Sequence, residues 1–313
     1  FLIAHLLSKH LLLAALAALV FAVHPIQVEA VAWVSGRRDV LASAFALASF
    51  YCFLRVVPPS QSEQPEDPKR IRGIRGGLYG LAVLLLVAGL LTKASVVILP
   101  LLFVVYDLCF ASPSIIRKWR RIWLYAPFFL ATVLIARAFL GVARASGVVK
   151  THFHAADPLA HGLTMLRVFS EYVAMLFIPR QLSVTYGVRV NTSFLEFEVL
   201  IAIAVLGIVA ILSFWAWKRS KLAFFGIVWF FVSLLPVANI IPIAIIKADR
   251  YLYLPSVGFC LAAAWLMVQG ENVLNRTVKT RFVRIGYWAV ISVALISFSF
   301  QTLQRARDWK DSH

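Results

Sequence analysis

Acidic residues are scarce: the 313-residue chain has 14 Asp and Glu against 31 Lys and Arg. Charge of either sign is thin as well, at 14% of residues, while 61% are hydrophobic and the mean hydropathy is +0.85. Soluble domains are nearer half apolar and a quarter charged, which excludes a single aqueous globule. Only three cysteines occur, Cys52, Cys109 and Cys260, each inside an apolar run. That excludes a disulfide framework and a cysteine-based zinc site. No glycine-rich phosphate loop, HExxH pair or serine nucleophile elbow is present. The net charge of +17 would suggest nucleic acid in a soluble protein. In so apolar a chain the charges belong in loops, where they set membrane orientation and meet anionic lipid, so no nucleic-acid partner is expected.

A bilayer core of about 30 Å needs about 20 mostly apolar residues per helix, fewer where neighbours bury the helix. On that measure the chain has an apolar stub, Phe1–Leu7, and nine candidate spans. These are Leu11–Val23, Val40–Val57, Gly77–Thr92, Ala94–Phe110, Ile122–Gly141, Leu200–Trp217, Leu222–Ile241, Leu254–Gln269 and Ile285–Leu303. Alternate loops should share a side. Those at Lys9, Arg55–Arg75, Arg117–Arg121, Lys218–Lys221 and Arg276–Arg284 carry short basic clusters beside span ends and are assigned to the cytoplasm. The alternation requires that Leu163–Ile178 does not cross. Arg167 and Glu171 there lie one helical turn apart on one face, which suits a helix in the interface or packed against the bundle. The expected fold is all-α, a polytopic transmembrane helical bundle.

The opposite set of loops holds the candidate site. One cluster runs His24-Pro25-Ile26-Gln27-Val28-Glu29, then Ser35-Gly36-Arg37-Arg38-Asp39. Pro25 ends one helix, Gly36 permits a turn into the next, and Glu29 and Trp33 share a helix face between them. Two guanidinium forks beside an acid match phosphate oxygens; the alternative is that Arg37, Arg38 and Asp39 neutralise one another. The second cluster is Asn239–Pro255, with Lys247, Asp249, Arg250, Tyr251 and Tyr253. Either tyrosine alone reads first as an interfacial anchor. An Asp-Arg pair entering a helix is a site candidate, because ionisable groups at membrane depth are costly unless paired or liganded. Substrate contact is therefore expected from Glu29, Arg37, Arg38, Asp39, Lys247, Asp249, Arg250, Tyr251 and Tyr253.

Other signals are weaker. Lys93 has no acidic neighbour in sequence and needs a partner from elsewhere or must snorkel. Arg137 and Arg144 either add to an anionic pocket or snorkel. His152, His154, Asp157 and His161 are metal-ligand types, but such loops are more often simply polar, and neither metal nor cofactor is expected. Asn191-Thr192-Ser193 fits a glycosylation acceptor.

HPIQVEAVAWVSGRRDVL and ADRYLYLPSVGF, with LTKASVVILPLLFVVYD between them and QTLQRARDWKDS at the end, supply a further clue. In that order they resemble segments of the membrane glycosyltransferase domain of the transmembrane and tetratricopeptide-repeat-containing O-mannosyltransferases and their bacterial relatives. The resemblance implies a C-type glycosyltransferase fold. It also implies a sugar, often mannose, taken from a polyprenyl-phosphate donor on the non-cytoplasmic side and passed to a hydroxyl on a protein or glycan acceptor. It divides the chain into a membrane domain over 1–303 and the start of a link to repeats over 304–313. In that family the carboxylate proposed as base lies in the first outer loop, between the first two spans. Phe1–Leu7 resembles the end of the second span, so the chain is expected to lack that loop and a complete active site. No catalytic residue is assigned to Glu29 or Asp39 on that basis.

Two readings from other classes remain open. A transporter of an anionic solute would show repeated halves and broken helices meeting at the midplane. A non-catalytic anchor or assembly subunit would need no outward cavity. The match to the compact bacterial relatives favours a bacterial inner membrane over the endoplasmic reticulum.

Overall fold

The computed structural model describes residues 1–58, 68–110, 115–145, 157–180, 182–183, 186–240, 245–277 and 280–309. Among these every regular element is helical. The α-helices are α1 (Leu2–Ser8), α2 (Leu11–Val23), α3 (Val28–Ala32), α4 (Arg37–Val56), α5 (Pro68–Thr92) and α6 (Leu99–Phe110). They continue with α7 (Ile115–Ala145), α8 (Pro158–Phe177), α9 (Phe197–Arg219), α10 (Lys221–Leu234), α11 (Ser256–Thr277) and α12 (Arg281–Asp308).

Each of the nine expected spans falls on one of these helices. Among the described residues six segments are individually long and apolar enough to cross a bilayer: Val34–Val56, Arg75–Thr92, Trp123–Val142, Phe197–Arg219, Ser256–Thr277 and Arg281–Asp308. The chain is a multi-pass membrane protein. A seventh span forms only if α2 and the segment Pro25–Ala32 are taken together, and they meet at a 55° bend. The remaining two expected spans, Ala94–Phe110 and Lys221–Val237, are shorter apolar helices. Pro236 shortens the second: α10 stops at Leu234 and a single 3₁₀ turn follows over Leu235–Val237. At the other end α12 runs on to Asp308, past the residue 303 boundary expected for the membrane part. The polar helix α8 is not among the six, and its face of Val168, Tyr172 and Leu176 packs against Ile26, Phe230 and Leu252.

Aromatic packing supplies much of the core. Phe50 and Phe53 of α4 stack on Phe103 of α6, with ring centroids 5.7 and 4.2 Å apart. Trp229 of α10 meets Phe50 edge-on at 5.0 Å and donates its indole N–H to the Leu254 carbonyl at 3.0 Å. Such pairs add roughly 0.5–1.5 kcal/mol each beyond burial. Helices α10 and α11 touch backbone to backbone, because Gly226 faces Gly258. A Cβ on Gly258 would collide with the Gly226 carbonyl oxygen and crowd the Phe230 amide at 2.8 Å, and neither backbone atom can swing aside. Gly258→Ala is expected to cost about 1–3 kcal/mol by overpacking. A thermal melt of the detergent-purified protein checks this, and an unchanged midpoint would show that α10 and α11 are not held at this distance.

Candidate functional site

The bend after α2 begins at Pro25, which has no N–H to continue the helix. The buried His24 fixes it, with Nδ1 accepting from the Ile26 amide at 3.3 Å and Nε2 lying 3.0 Å from the Leu176 carbonyl of α8. One short turn on, α3 carries Glu29 into the interior, fully buried. Gly36 then brings the chain back across α3. Its φ of −69° is ordinary, and the need for glycine is space: a Cβ there would sit 2.9 Å from the Glu29 carbonyl oxygen. Arg37, Arg38 and Asp39 are the first turn of α4 rather than part of the connecting turn.

Glu29 joins the two sequence clusters directly. One carboxylate oxygen pairs with the Arg250 guanidinium, and the other accepts the Arg250 backbone N–H at 2.9 Å. Arg250 is itself 7% exposed, so this is a buried, doubly bonded pair. Its guanidinium carbon lies 4.7 Å from the Trp33 ring centroid and 5.3 Å from that of Tyr251. The shared face of Glu29 and Trp33 thus holds one cation between carboxylate and indole.

Asp39 takes a different partner from the one its sequence neighbours suggest. It pairs with Lys93, at the turn after α5, whose ammonium lies 5.8 Å from the Tyr251 ring. Trp33, Arg250, Tyr251 and Lys93 therefore form an alternating stack of rings and cations. Burial holds the Lys93 ammonium below its ordinary pKa; Asp39 opposes this, and the charges of Arg250 and Arg38 add to the lowering. Arg37 and Arg38 are exposed in the first turn of α4, and Arg38 is near enough for its charge to act on Lys93.

Lys247 and Asp249 belong to a second network. Lys247 pairs with Glu171 of α8 at 2.6 Å and lies 4.2 Å from the Tyr186 ring centroid. Glu171 also approaches Arg167 at 3.4 Å, and Arg167 bonds Glu198 at 2.5 Å. Asp249 is wholly buried and orients Arg305 rather than Arg250: Arg305 donates at 2.6 Å to one oxygen and Tyr186 at 2.5 Å to the other. Burial pushes the Asp249 carboxyl up to about 6, outweighing the pull of Tyr186 and Arg305. Tyr253 packs edge-on against Phe21 at 5.4 Å, and its carbonyl accepts from Ser256 at 2.8 Å.

The structure brings together Glu29, Asp39, Arg250 and Tyr251 in one stack and Lys247 and Asp249 in the other network. It leaves Tyr253 against α2. Sequence reasoning missed Glu171, Tyr186 and Arg305 as members, and Lys93 was marked only as a charge in search of a partner. Every one of these pairs links segments that the alternating-loop argument placed on one side of the membrane. The clusters meet by direct contact, and a cavity of about 630 Å³, lined by apolar side chains such as Phe21, Leu47, Leu85 and Val257, has none of the expected site residues on its wall.

Burial settles one of the weaker signals. Asn191 is fully buried, its side-chain nitrogen bonded to Glu196 at 2.7 Å and Glu198 at 3.3 Å, so in this fold it is closed to a glycan. Among the described residues no group of three or more His, Cys, Asp or Glu is placed to hold a metal. His152 and His154 lie outside the described residues, as does Arg144's side chain. His161 Nε2 is 3.1 Å from the Asn239 carbonyl, and Asp157 caps the start of α8.

Compared with known proteins, the chain is 26% identical over 339 aligned positions to protein O-mannosyl-transferase Tmtc3 of Drosophila melanogaster. It is 26% identical over 333 positions to the TMTC3 protein O-mannosyl-transferase of Mus musculus. The human TMTC3 protein is 24% identical over 339 positions. In each case the match covers 95% of this chain. The chain is similar to protein O-mannosyl-transferases. It spans 34–36% of the length of these relatives, about a third. No protein-family model matches the chain, and no solved structure matches it either. The three relatives come from animals, which gives no support to the expected bacterial inner membrane.

Proposed function

We propose that this chain is the membrane part of a glycosyltransferase of C-type architecture that moves mannose from a polyprenyl-phosphate donor to an acceptor hydroxyl on the non-cytoplasmic side. The observation that carries the proposal is the stack of Trp33, Arg250, Tyr251 and Lys93, with Arg37 and Arg38 exposed in the first turn of α4. A transferase of this kind must bind a lipid phosphate and stabilise it as it departs with the bonding electrons of the sugar. Cations fixed before the reaction do this best, because they need no reorganisation as charge develops. Glu29 and Asp39 fix Arg250 and Lys93, while the exposed Arg37 and Arg38 remain available to phosphate oxygens. The relatives' names as protein O-mannosyl-transferases supply the sugar and the protein acceptor.

The base that takes the acceptor proton is not drawn from these carboxylates. Both oxygens of Glu29 are held by Arg250, both of Asp249 by Tyr186 and Arg305, and Asp39 is bound to Lys93.

The test is donor choice by the full-length protein in sealed vesicles, with synthesis of mannosyl polyprenyl phosphate blocked. Added mannosyl polyprenyl phosphate is expected to support transfer to an acceptor protein, and a nucleotide mannose is not. Transfer from the nucleotide sugar under that block would overturn the proposal.

A further inference from the structure

Helices α8, α9, α10 and α11 enclose a second cavity, of about 170 Å³, lined by apolar side chains. Val173 and Phe177 close its upper end with Phe259, whose ring is 6.2 Å from that of His24 at the bend after α2. Its lower end is formed by Trp215 and Ala216 of α9 and Ala223 of α10. These positions flank the turn at Ser220, so the groove runs down to within a helical turn of Lys218, Arg219 and Lys221. All three cations are exposed. No acidic residue occurs in sequence between Glu198 and Asp249, so this turn brings none of its own. The Lys218 ammonium sits 4.7 Å from the Phe214 ring centroid, and Trp217 packs on Phe224 at 4.7 Å, a belt of rings and cations suited to a membrane boundary.

We propose that this groove holds one acyl chain of an anionic glycerophospholipid, whose headgroup sits on Lys218, Arg219 and Lys221. Charge selects the occupant. A wholly apolar channel inside a membrane protein takes hydrocarbon from the surrounding bilayer. A group of three exposed cations at its mouth, on a turn with no acid in its own sequence, favours a lipid with a negative headgroup, each cation contributing up to roughly fivefold in affinity. The site lies at the end of the bundle opposite the Glu29–Arg250 pair and shares no residue with it, so it stands or falls separately from the transferase proposal. Its function is to hold α8 against α9, α10 and α11, and so to hold Glu171 and Tyr172, which carry Lys247 and the Ala248 amide.

The experiment is native mass spectrometry of the full-length protein in mild detergent, titrated with phosphatidylglycerol or phosphatidylcholine of matched chains. Phosphatidylglycerol is expected to bind at least about tenfold more tightly. The triple variant Lys218→Gln, Arg219→Gln, Lys221→Gln should abolish that preference, while Ala263→Phe, which fills the groove, should remove binding of both lipids. Photolabelling of the unmodified protein with a phospholipid carrying a diazirine in its acyl chain needs no variant. It should mark peptides of α9, α10 and α11 around Trp215, Ile227 and Leu266. Equal affinity for the two lipids, label elsewhere, or displacement of the label by polyprenyl phosphate would overturn the proposal.

Discussion

Replacing Arg250 with alanine in the full-length protein is expected to lower mannosyl transfer by a hundredfold or more. Two losses combine. The departing lipid phosphate loses a pre-positioned cation, and removing one such donor typically costs about 3–4 kcal/mol in the transition state. Glu29, completely buried, is left without its partner, which costs about 3–5 kcal/mol of stability. The two are separated by measuring folded protein and rate together. Arg250→Lys keeps a charge between Trp33 and Tyr251 and keeps the backbone N–H to Glu29, losing only the planar guanidinium, so it should retain more folded protein and more activity per folded molecule than alanine. Arg55→Ala is the control, since Arg55 is exposed near the other end of α4 and bonds only Tyr51 among the described partners, at 3.2 Å. It should leave transfer unchanged. Equal losses from Arg250→Ala and Arg55→Ala at equal protein levels would remove Arg250 from the site.

Hydropathy made the helices legible because a bilayer leaves little choice: backbone groups in hydrocarbon must bond internally, so long apolar runs become helices. Pro25 marked where α2 stops, whereas the expected span Leu222–Ile241 ran past Pro236, where α10 gives way to a single 3₁₀ turn. The ends were less visible where charge is buried. The expected span began at Val40, yet α4 starts three residues earlier at Arg37, and Asp39 in its first turn pairs with Lys93.

Partners were the part that sequence did not reveal. Glu29 and Arg250 are 221 positions apart, and Asp39 and Lys93 are 54 apart. Helix packing alone sets those meetings, while the near neighbours Arg37 and Arg38, obvious in sequence, make no pair with Asp39. Glu171 was visible only as the i+4 partner of Arg167, since Lys247 reaches it from a different loop. Arg305 was hidden for another reason. Within QTLQRARD it lies in the segment that resembles a link to repeats, and nothing near it in sequence points to the buried Asp249 it meets.

Arg305→Ala should destabilise the protein by about 3–5 kcal/mol, because Asp249 is wholly buried and Arg305 is its cationic partner. The pH dependence identifies the cause. In the folded protein the Asp249 carboxyl takes up its proton at about 6, against an ordinary value near 4 when unfolded. A raised carboxyl favours the protonated fold, so stability falls as pH rises from about 4 to 6, by roughly 3 kcal/mol, and is level above that. Loss of Arg305 removes one of the charges that hold the carboxyl down, extending the fall to higher pH and deepening it. Asp249→Asn in the Arg305→Ala background removes the titrating group while keeping a hydrogen-bond acceptor for Tyr186. Thermal midpoints measured between pH 5 and 8 should therefore drop with pH in Arg305→Ala and recover in the double variant. An Arg305→Ala protein as stable as the parent, or one whose loss is the same at every pH and unrelieved by Asp249→Asn, would mean that Asp249 does not rely on α12 for its charge. The last helix would then be held to the bundle only by contacts such as Thr302 to the Val23 carbonyl, at 2.7 Å.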